Sequence, residues 1–307
     1  MRISLAPMEG ITNFIFRRVY LKHFGGVDMS YTPFITANQT HSFKRKEKLE
    51  ISPFDKALIP QILSNDAEAF VWSAKNIADM GYKEIDLNLG CPSPTVTSRG
   101  RGAGMLADKQ KLRAFFDAVF AGSDLPQISV KTRVGTEDPS EAAQIAELYS
   151  EYPFSHIIVH PRLLKDLYKG SVRLDCFREF YERIPADKLV FNGDINTRED
   201  ALAVTEEFPG IEEIMTGRGV LKDPFLPEKI KDGATVDTNP GRIEAFLTEL
   251  WDEYASYLSG ERDVLFKMKE IWSYLASYYP DGDVILKGIR KAQTKEVYLQ
   301  AIKSICK

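Results

Sequence analysis

"EIDLNLGCPSPTVTSRGRGAGML", residues 84–106, runs from a short β-rich apolar stretch into a Gly-Cys-Pro turn and then into a glycine-rich loop carrying two arginines. An apolar run closed by turn residues reads as a buried strand. Seven more runs of this kind flank it: RISLAP (2–7), VDMSYTPF (27–34), ALIPQIL (57–63), QISVKTRVG (127–135), HIIVHPR (156–162), KLVFNGDI (188–195) and EEIMTGRG (212–219). Helix-patterned stretches separate them, such as DAEAFVWSAKNIADMG (66–81), with Asp66 placed to cap its start and Gly81 to stop it. Another is SEAAQIAELYSEY (140–152). Eight strand–helix alternations in ~230 residues predict a (β/α)8 TIM barrel over residues 1–235. The competing arrangement is an open doubly wound sheet.

Past that point the pattern changes. KDGATVDTNPG (231–241) is a polar linker with glycine and proline. The remaining apolar residues recur at helical spacing in RIEAFLTELWDEYASYL, DVLFKMKEIWSYLASYY and DVILKGIRKAQTKEVYLQAIKSI, with no strand among them. A small all-helical domain is therefore expected over 240–307, and no internal repeat or low-complexity tract interrupts the chain.

Composition narrows the class. No apolar run approaches the ~20 residues that span a bilayer, and the start MRISLAPMEG lacks the layout of a secretory signal. Cys91, Cys176 and Cys306 are odd in number and scattered, which suits neither a disulfide framework nor a metal site. Cys176 and Cys306 read as packing residues. A reducing, cytoplasmic setting is expected, with no membrane, no metal and no obligate protein partner. A net charge of −4 argues mildly against nucleic acid, yet FKRKEK (43–48), SRGRG (98–102) and the Arg17–Arg18 pair are locally basic. A charge run is most often a solvated face.

In a parallel barrel the C-terminal strand ends form the active-site mouth. The polar residues of this chain fall there: Pro7, Met8 and Glu9 after the first strand, Gln61 at the third, Asn88 and Cys91 at the fourth, Lys131 and Arg133 at the fifth. His160 and Arg162 follow the sixth, Asn192, Gly193 and Asp194 the seventh, and Gly217 and Arg218 the eighth. The glycine turns after strands 7 and 8 stand where such barrels commonly hold a phosphate, since glycine lets backbone N–H groups approach an anion. Arg218 would add a charge-assisted contact, and Lys131 could stabilise negative charge on a cofactor ring.

The motifs LAPMEGITN (5–13), LNLGCP (87–92), VKTRVG (130–135), NGDI (192–195), TGRG (216–219) and KMKEIWSYL (267–275), in this order, resemble those of the tRNA-dihydrouridine synthases. The resemblance covers the whole chain. It implies a barrel that holds FMN, a helical domain that helps grip tRNA, NADPH as the electron donor, and reduction of particular uridines in tRNA. It places Pro7, Met8, Glu9, Gln61, Lys131, His160, Asn192, Gly193, Asp194, Gly217 and Arg218 around the cofactor, and Cys91 as the proton donor. It places Asn88 on the target base; Arg99, Arg101, Arg133, Lys267 and Lys269 are expected on the substrate RNA, the two lysines lying in the stretch that matches the family best. Arg17, Arg18, Lys44, Arg45, Lys46, Arg290 and Lys291 are further phosphate candidates.

The chemistry explains the cysteine. Saturating the uracil C5–C6 bond takes a hydride at C6 and a proton at C5, and a thiol with a pKa of about 8.5 still carries its proton at neutral pH. An arginine at its side would lower that pKa, so Arg99 and Arg101 are expected to face RNA instead. The loop 97–106 is either a mobile flap over the base or an exposed phosphate-binding loop, and both fit. Two departures from the family pattern stand out: Pro94 replaces a lysine three residues after the cysteine, and VHPRLLKD replaces His-Gly-Arg-Thr after the sixth strand. Pro161 lacks an N–H and cannot take positive φ. A flavin enzyme for a free pyrimidine and a non-enzymatic RNA-binding barrel are the alternative functions.

Overall fold

The computed structural model describes residues 1–305 apart from Phe54 and Ser123, so the packing role expected of Cys306 lies outside the described residues. Ten short strands form one all-parallel sheet: β1 Arg2–Leu5, β2 Met29–Tyr31, β3 Ile35–Thr36, β4 Leu58–Ile59, β5 Gln61–Leu63, β6 Glu84–Leu89, β7 Gln127–Arg133, β8 Ile157–His160, β9 Leu189–Phe191 and β10 Glu213–Thr216. Two of the eight expected strands are each broken in half. Pro33 separates β2 from β3 and Pro60 separates β4 from β5, because proline has no N–H to give to a ladder. Thr32 bridges the break, its Oγ1 accepting the Gln61 N–H at 2.9 Å. β2 pairs with β4 and β3 with β5, so the halves close the sheet on itself and the order runs β1, β2/β3, β4/β5, β6, β7, β8, β9, β10 and back to β1. This is the TIM barrel expected from the alternation.

Both faces of the strands are buried, but by different neighbours. Ile85, Leu87 and Leu89 of β6 and Ile128 and Val130 of β7 belong to the core beneath the surrounding helices. The alternate residues Asp86, Ser129 and Gln61 are wholly buried and hydrogen-bonded to one another. Ala6, Tyr31, Ile59, Ile158, Val190 and Met215 form a separate small cluster of their own. Cys176 packs in the outer core, as its sequence setting implied.

The helical region consists of Pro240–Tyr257, Glu261–Leu275, Gly282–Lys291 and Lys295–Ile305. It is joined to the barrel by a continuous core. Ile15, Phe16, Val19 and Tyr20 from the barrel helix Phe14–His23 pack in one cluster with Phe246, Leu250, Trp251, Met268 and Trp272. Arg242 reinforces the junction, pairing with Glu228 at 2.7 Å and lying over the rings of Phe24 and Phe225. Among the described residues no helix is long and apolar enough to cross a membrane.

At the opposite end of the barrel from the glycine turns, His156 Nδ1 meets Glu84 Oε1 at 3.0 Å, and the hydrogen bond to Glu84 raises the imidazole above its ordinary pKa. A raised histidine contributes stability fully below its unfolded pKa of about 6.5 and loses it as pH climbs through the folded value. Thermal melts of wild type and His156→Gln should accordingly differ most below pH ~6.5. The gap should shrink as the pH rises from there, and a gap that widens instead would refute the assignment.

Candidate active site

The C-terminal strand ends and the loops after them enclose a cavity of about 1020 Å³. The structure brings together in its wall Pro7, Met8, Glu9, Gln61, Asn88, Cys91, Arg99, Arg101, Lys131, Arg133, His160, Asn192, Gly193, Asp194, Gly217 and Arg218. It does not bring Lys267 or Lys269 there. Lys267 Nζ donates to Gly10 O at 2.8 Å, and Lys269 Nζ to Ala292 O at 2.6 Å, so both ammonium groups brace the helices.

Arg17 and Arg133 turn their guanidinium groups into the fold rather than outward, while Arg18 stays exposed beside its surface partner. Arg17 is buried, with its guanidinium on Glu50 Oε2 at 2.8 Å and on the Thr12 and Glu50 carbonyls, because a charge inside the fold needs partners. Arg18 is paired with Glu253. Arg133 is buried and donates to the carbonyls of Gly90, Leu163 and Leu167, tying the cysteine turn to the loop after β8. Lys44, by contrast, is exposed and reaches the cavity rim. Lys46 is exposed and meets Glu9 of the wall at 3.5 Å, and Arg45, Arg290 and Lys291 are exposed outside the lining.

Cys91 sits in the turn after β6, half-buried. Its N–H donates to Asn88 Oδ1 at 2.9 Å, an Asx-type turn that follows directly from an Asn three residues before the cysteine. The loop beyond is folded down on it. Pro94 opens a short helix, Pro94–Thr97, in the position where its missing N–H costs nothing, and a 3₁₀ turn spans Gly102–Ala107. Ala103 N–H donates to Cys91 O at 3.0 Å. Gly102 has φ +56°, and a Cβ there would lie 2.8 Å from Cys91 O, so only glycine permits the approach. Arg101 Nε is held by Asn65 Oδ1 at 3.1 Å, and Arg99 is exposed at the rim. The charges acting on the thiol are Glu9, Arg133 and Lys131, and burial, the largest influence, pushes its pKa up. The thiol therefore keeps its proton at neutral pH.

Burial likewise lowers the Lys131 ammonium and raises the neighbouring Asp86 carboxyl, each partly offset by the other's charge. Buried His160 is pushed well below its usual pKa, chiefly by burial and then by Lys131 and the arginines around it, so it is neutral. Arg162 Nη1 lies 3.0 Å from His160 Nε2. Arginine only donates, which makes Nε2 the acceptor and leaves the ring proton on Nδ1.

The far end of the cavity is cationic. Arg162 and Arg218 both hold Asp194, the latter at 2.8 Å, and Asp194 adopts φ +50° to meet them. Asp194 thus orients two guanidinium groups. Gly193 and Gly217 allow the chain to close around them: a Cβ on Gly193 would lie 2.6 Å from Val172 Cγ1, and one on Gly217 would lie 3.1 Å from Ala6 Cβ and Met8 Sδ. Asn192 Nδ2 donates to Met215 O at 2.8 Å and fixes this corner. Pro161 leaves the arrangement intact, since Arg162 still spans from His160 to Asp194.

Sequence reasoning missed the helical region's share of the wall. Glu270 and Tyr274 line the cavity, but their helical spacing looks like that of any packed helix. It also missed Tyr168, 57% exposed at the rim over Arg133 and Arg218 at 5.4 and 5.6 Å.

A parallel barrel with a glycine-built corner holding Arg218, beside an apolar wall of Ala6, Pro7, Met8 and Met215 and a half-buried lysine, has the form of a TIM-barrel enzyme with a place for a phosphate-bearing group. The dihydrouridine synthase (Dus) family model matches residues 4–301, and the chain belongs to that family. It is 32% identical over 236 residues to a probable tRNA-dihydrouridine synthase of Staphylococcus epidermidis, covering 73% of this chain and 70% of that one. It is 29% identical over 233 residues to probable tRNA-dihydrouridine synthase 2 of Bacillus subtilis, with the same coverage of 73% and 70%. The fold resembles morphinone reductase, with a TM-score of 0.52 at 10% identity over 78% of this chain and 88% of that one. It also resembles a variant of NCR from Zymomonas mobilis, with a TM-score of 0.55 at 14% identity over 84% and 94%.

The raised thiol has a direct readout. Alkylation of Cys91 by iodoacetamide, followed by mass spectrometry of the folded protein, should be slow at pH 7 and reach half its plateau rate above the about 8.5 of a free cysteine. A midpoint below that value would remove the thiol as a neutral-pH acid.

Proposed function

We propose that the chain is an FMN-dependent tRNA-dihydrouridine synthase that uses NADPH to reduce the C5–C6 bond of specific uridines in tRNA. The observation that carries this reading is the Cys91 thiol in the wall of the same cavity as Lys131, His160 and Arg218. FMN fits the donor set. Arg218 and the backbone around Gly193 and Gly217 would hold its phosphate, with Asn192, Asp194 and the buried Arg162 keeping that corner in shape. Pro7 and Met8 would flank the ring, and Gln61, Lys131 and the Nδ1–H of His160 would meet its polar edge, with Glu9 at the rim. Bound and reduced, the cofactor supplies the hydride that uracil C6 accepts.

The remaining work belongs to the protein. Cys91 gives its Sγ proton to C5 as C6 gains hydride, so the uracil gains two hydrogens and the sulfur is left as thiolate. Solvent then reprotonates it. Asn88 offers an amide N–H to a carbonyl of the base. The base must leave its stack to enter, so RNA is gripped outside the cavity. Arg99, Arg101 and Lys44 stand at the rim for phosphates. Lys267 and Lys269 serve by fixing the helices that close one side, and Arg133 by fixing the two loops that frame the base.

Cys91→Ala should leave the purified protein yellow while slowing dihydrouridine formation by roughly 10²–10⁴-fold, the usual worth of a positioned acid. Full turnover by that variant would remove the thiol from the reaction.

A further inference from the structure

We propose that Asp86 is a positioning residue that fixes the direction of a buried amide chain running through Gln61 and Asn88, and so fixes which atoms that chain shows to the cavity. Asp86 is wholly buried and is absent from the cavity wall, whereas Gln61 and Asn88 both line it. Whatever Asp86 does for the site, it does through them.

The polarity follows from the bonding at both ends. At one end, Asn88 Oδ1 accepts the N–H of Cys91 at 2.9 Å and of Gly90 at 3.1 Å. Backbone N–H groups only donate, and two of them fill the oxygen's lone pairs. Asn88 must then turn its Nδ2 to Gln61, where it donates to Oε1 at 2.6 Å. Gln61 in turn must point its Nε2 the other way, and it donates to Asp86 Oδ2 at 2.7 Å. An acceptor is required there, and Asp86 supplies it while its Oδ1 takes the Ser129 hydroxyl at 3.1 Å. Every bond in the line runs toward the carboxylate. Flipping any one amide would set two oxygens or two N–H groups face to face inside the fold, at the cost of an unmade buried hydrogen bond.

With its oxygen full and one N–H spent, Asn88 has only a second N–H left to offer. A ring carbonyl satisfies it, whereas an exocyclic amine opposes it. On the uridine-reductase reading, to which this consequence is tied, Asp86 is thus what makes the site select a pyrimidine by its carbonyl.

A double-mutant cycle on the full-length protein with its bound flavin tests the chain. Asn88→Asp keeps an acceptor for the two backbone N–H groups but turns an oxygen toward Gln61, whose amide Asp86 holds in the wrong sense. Its melting temperature should fall by several degrees. Asp86→Asn alone keeps an amide oxygen that accepts from Gln61 but takes away the charge beside Lys131, so its own loss is measured as the second single arm of the cycle. The double variant should recover most of the loss, since the whole line can reverse and end on the amide N–H that Asp86→Asn introduces. Asp86→Ala combined with Asn88→Asp removes the same charge without supplying a donor and should not recover. Additive losses in the first pair, or equal recovery in both, overturn the proposal. The recovered double variant should still fail to form dihydrouridine, because its side chain at position 88 shows the cavity only acceptors. Wild-type turnover by it would overturn the donor assignment. Failure of the uridine-reductase reading would show instead as no dihydrouridine formed in tRNA by the wild-type protein, and would leave the thermal coupling as it is.

Discussion

The constraint on which the site depends is that ionisable groups placed inside a barrel must be partnered there. Asp86 is wholly buried and Lys131 half-buried in the cavity wall, and each moves the other's pKa against the pull of desolvation. Ser129, Gln61 and Asn88 carry the carboxylate's hydrogen bonding across to the cysteine turn. The same rule accounts for His160, which stays neutral because it is buried and four cationic side chains surround it. It accounts too for Arg162, which is buried only because Asp194 and two carbonyls receive it. Gln61, Asn88 and Arg218, which face the cavity, are held by Asp86, by the cysteine turn and by Asp194.

Much of this was legible from the chain. Eight strand signals placed the barrel, and the polar residues at the strand ends placed the cavity, since strand ends in a parallel barrel all open on one side. What the linear pattern could not express was the division of two strands at Pro33 and Pro60, where the ladder skips a residue that has no N–H, and the closure this division requires. Charge was the least readable property. Arg17, Arg133 and Lys269 carry the same functional groups as residues at an RNA surface, yet their donors are spent on carbonyls or on a carboxylate that only the folded chain brings near. The arginine-bearing loop shows the same difference. Glycine suggested freedom, whereas Gly102 is there because the backbone passes close over Cys91.

The boundary drawn at residues 231–241 separates two patterns of secondary structure without separating two cores. The helix Phe14–His23, which follows the first strand, buries its apolar side against residues contributed from beyond position 240. Strip those residues away and Phe16, Val19 and Tyr20 would meet water. The two regions therefore share one apolar core, and the C-terminal helices are as much a part of the vessel as the staves they hold upright.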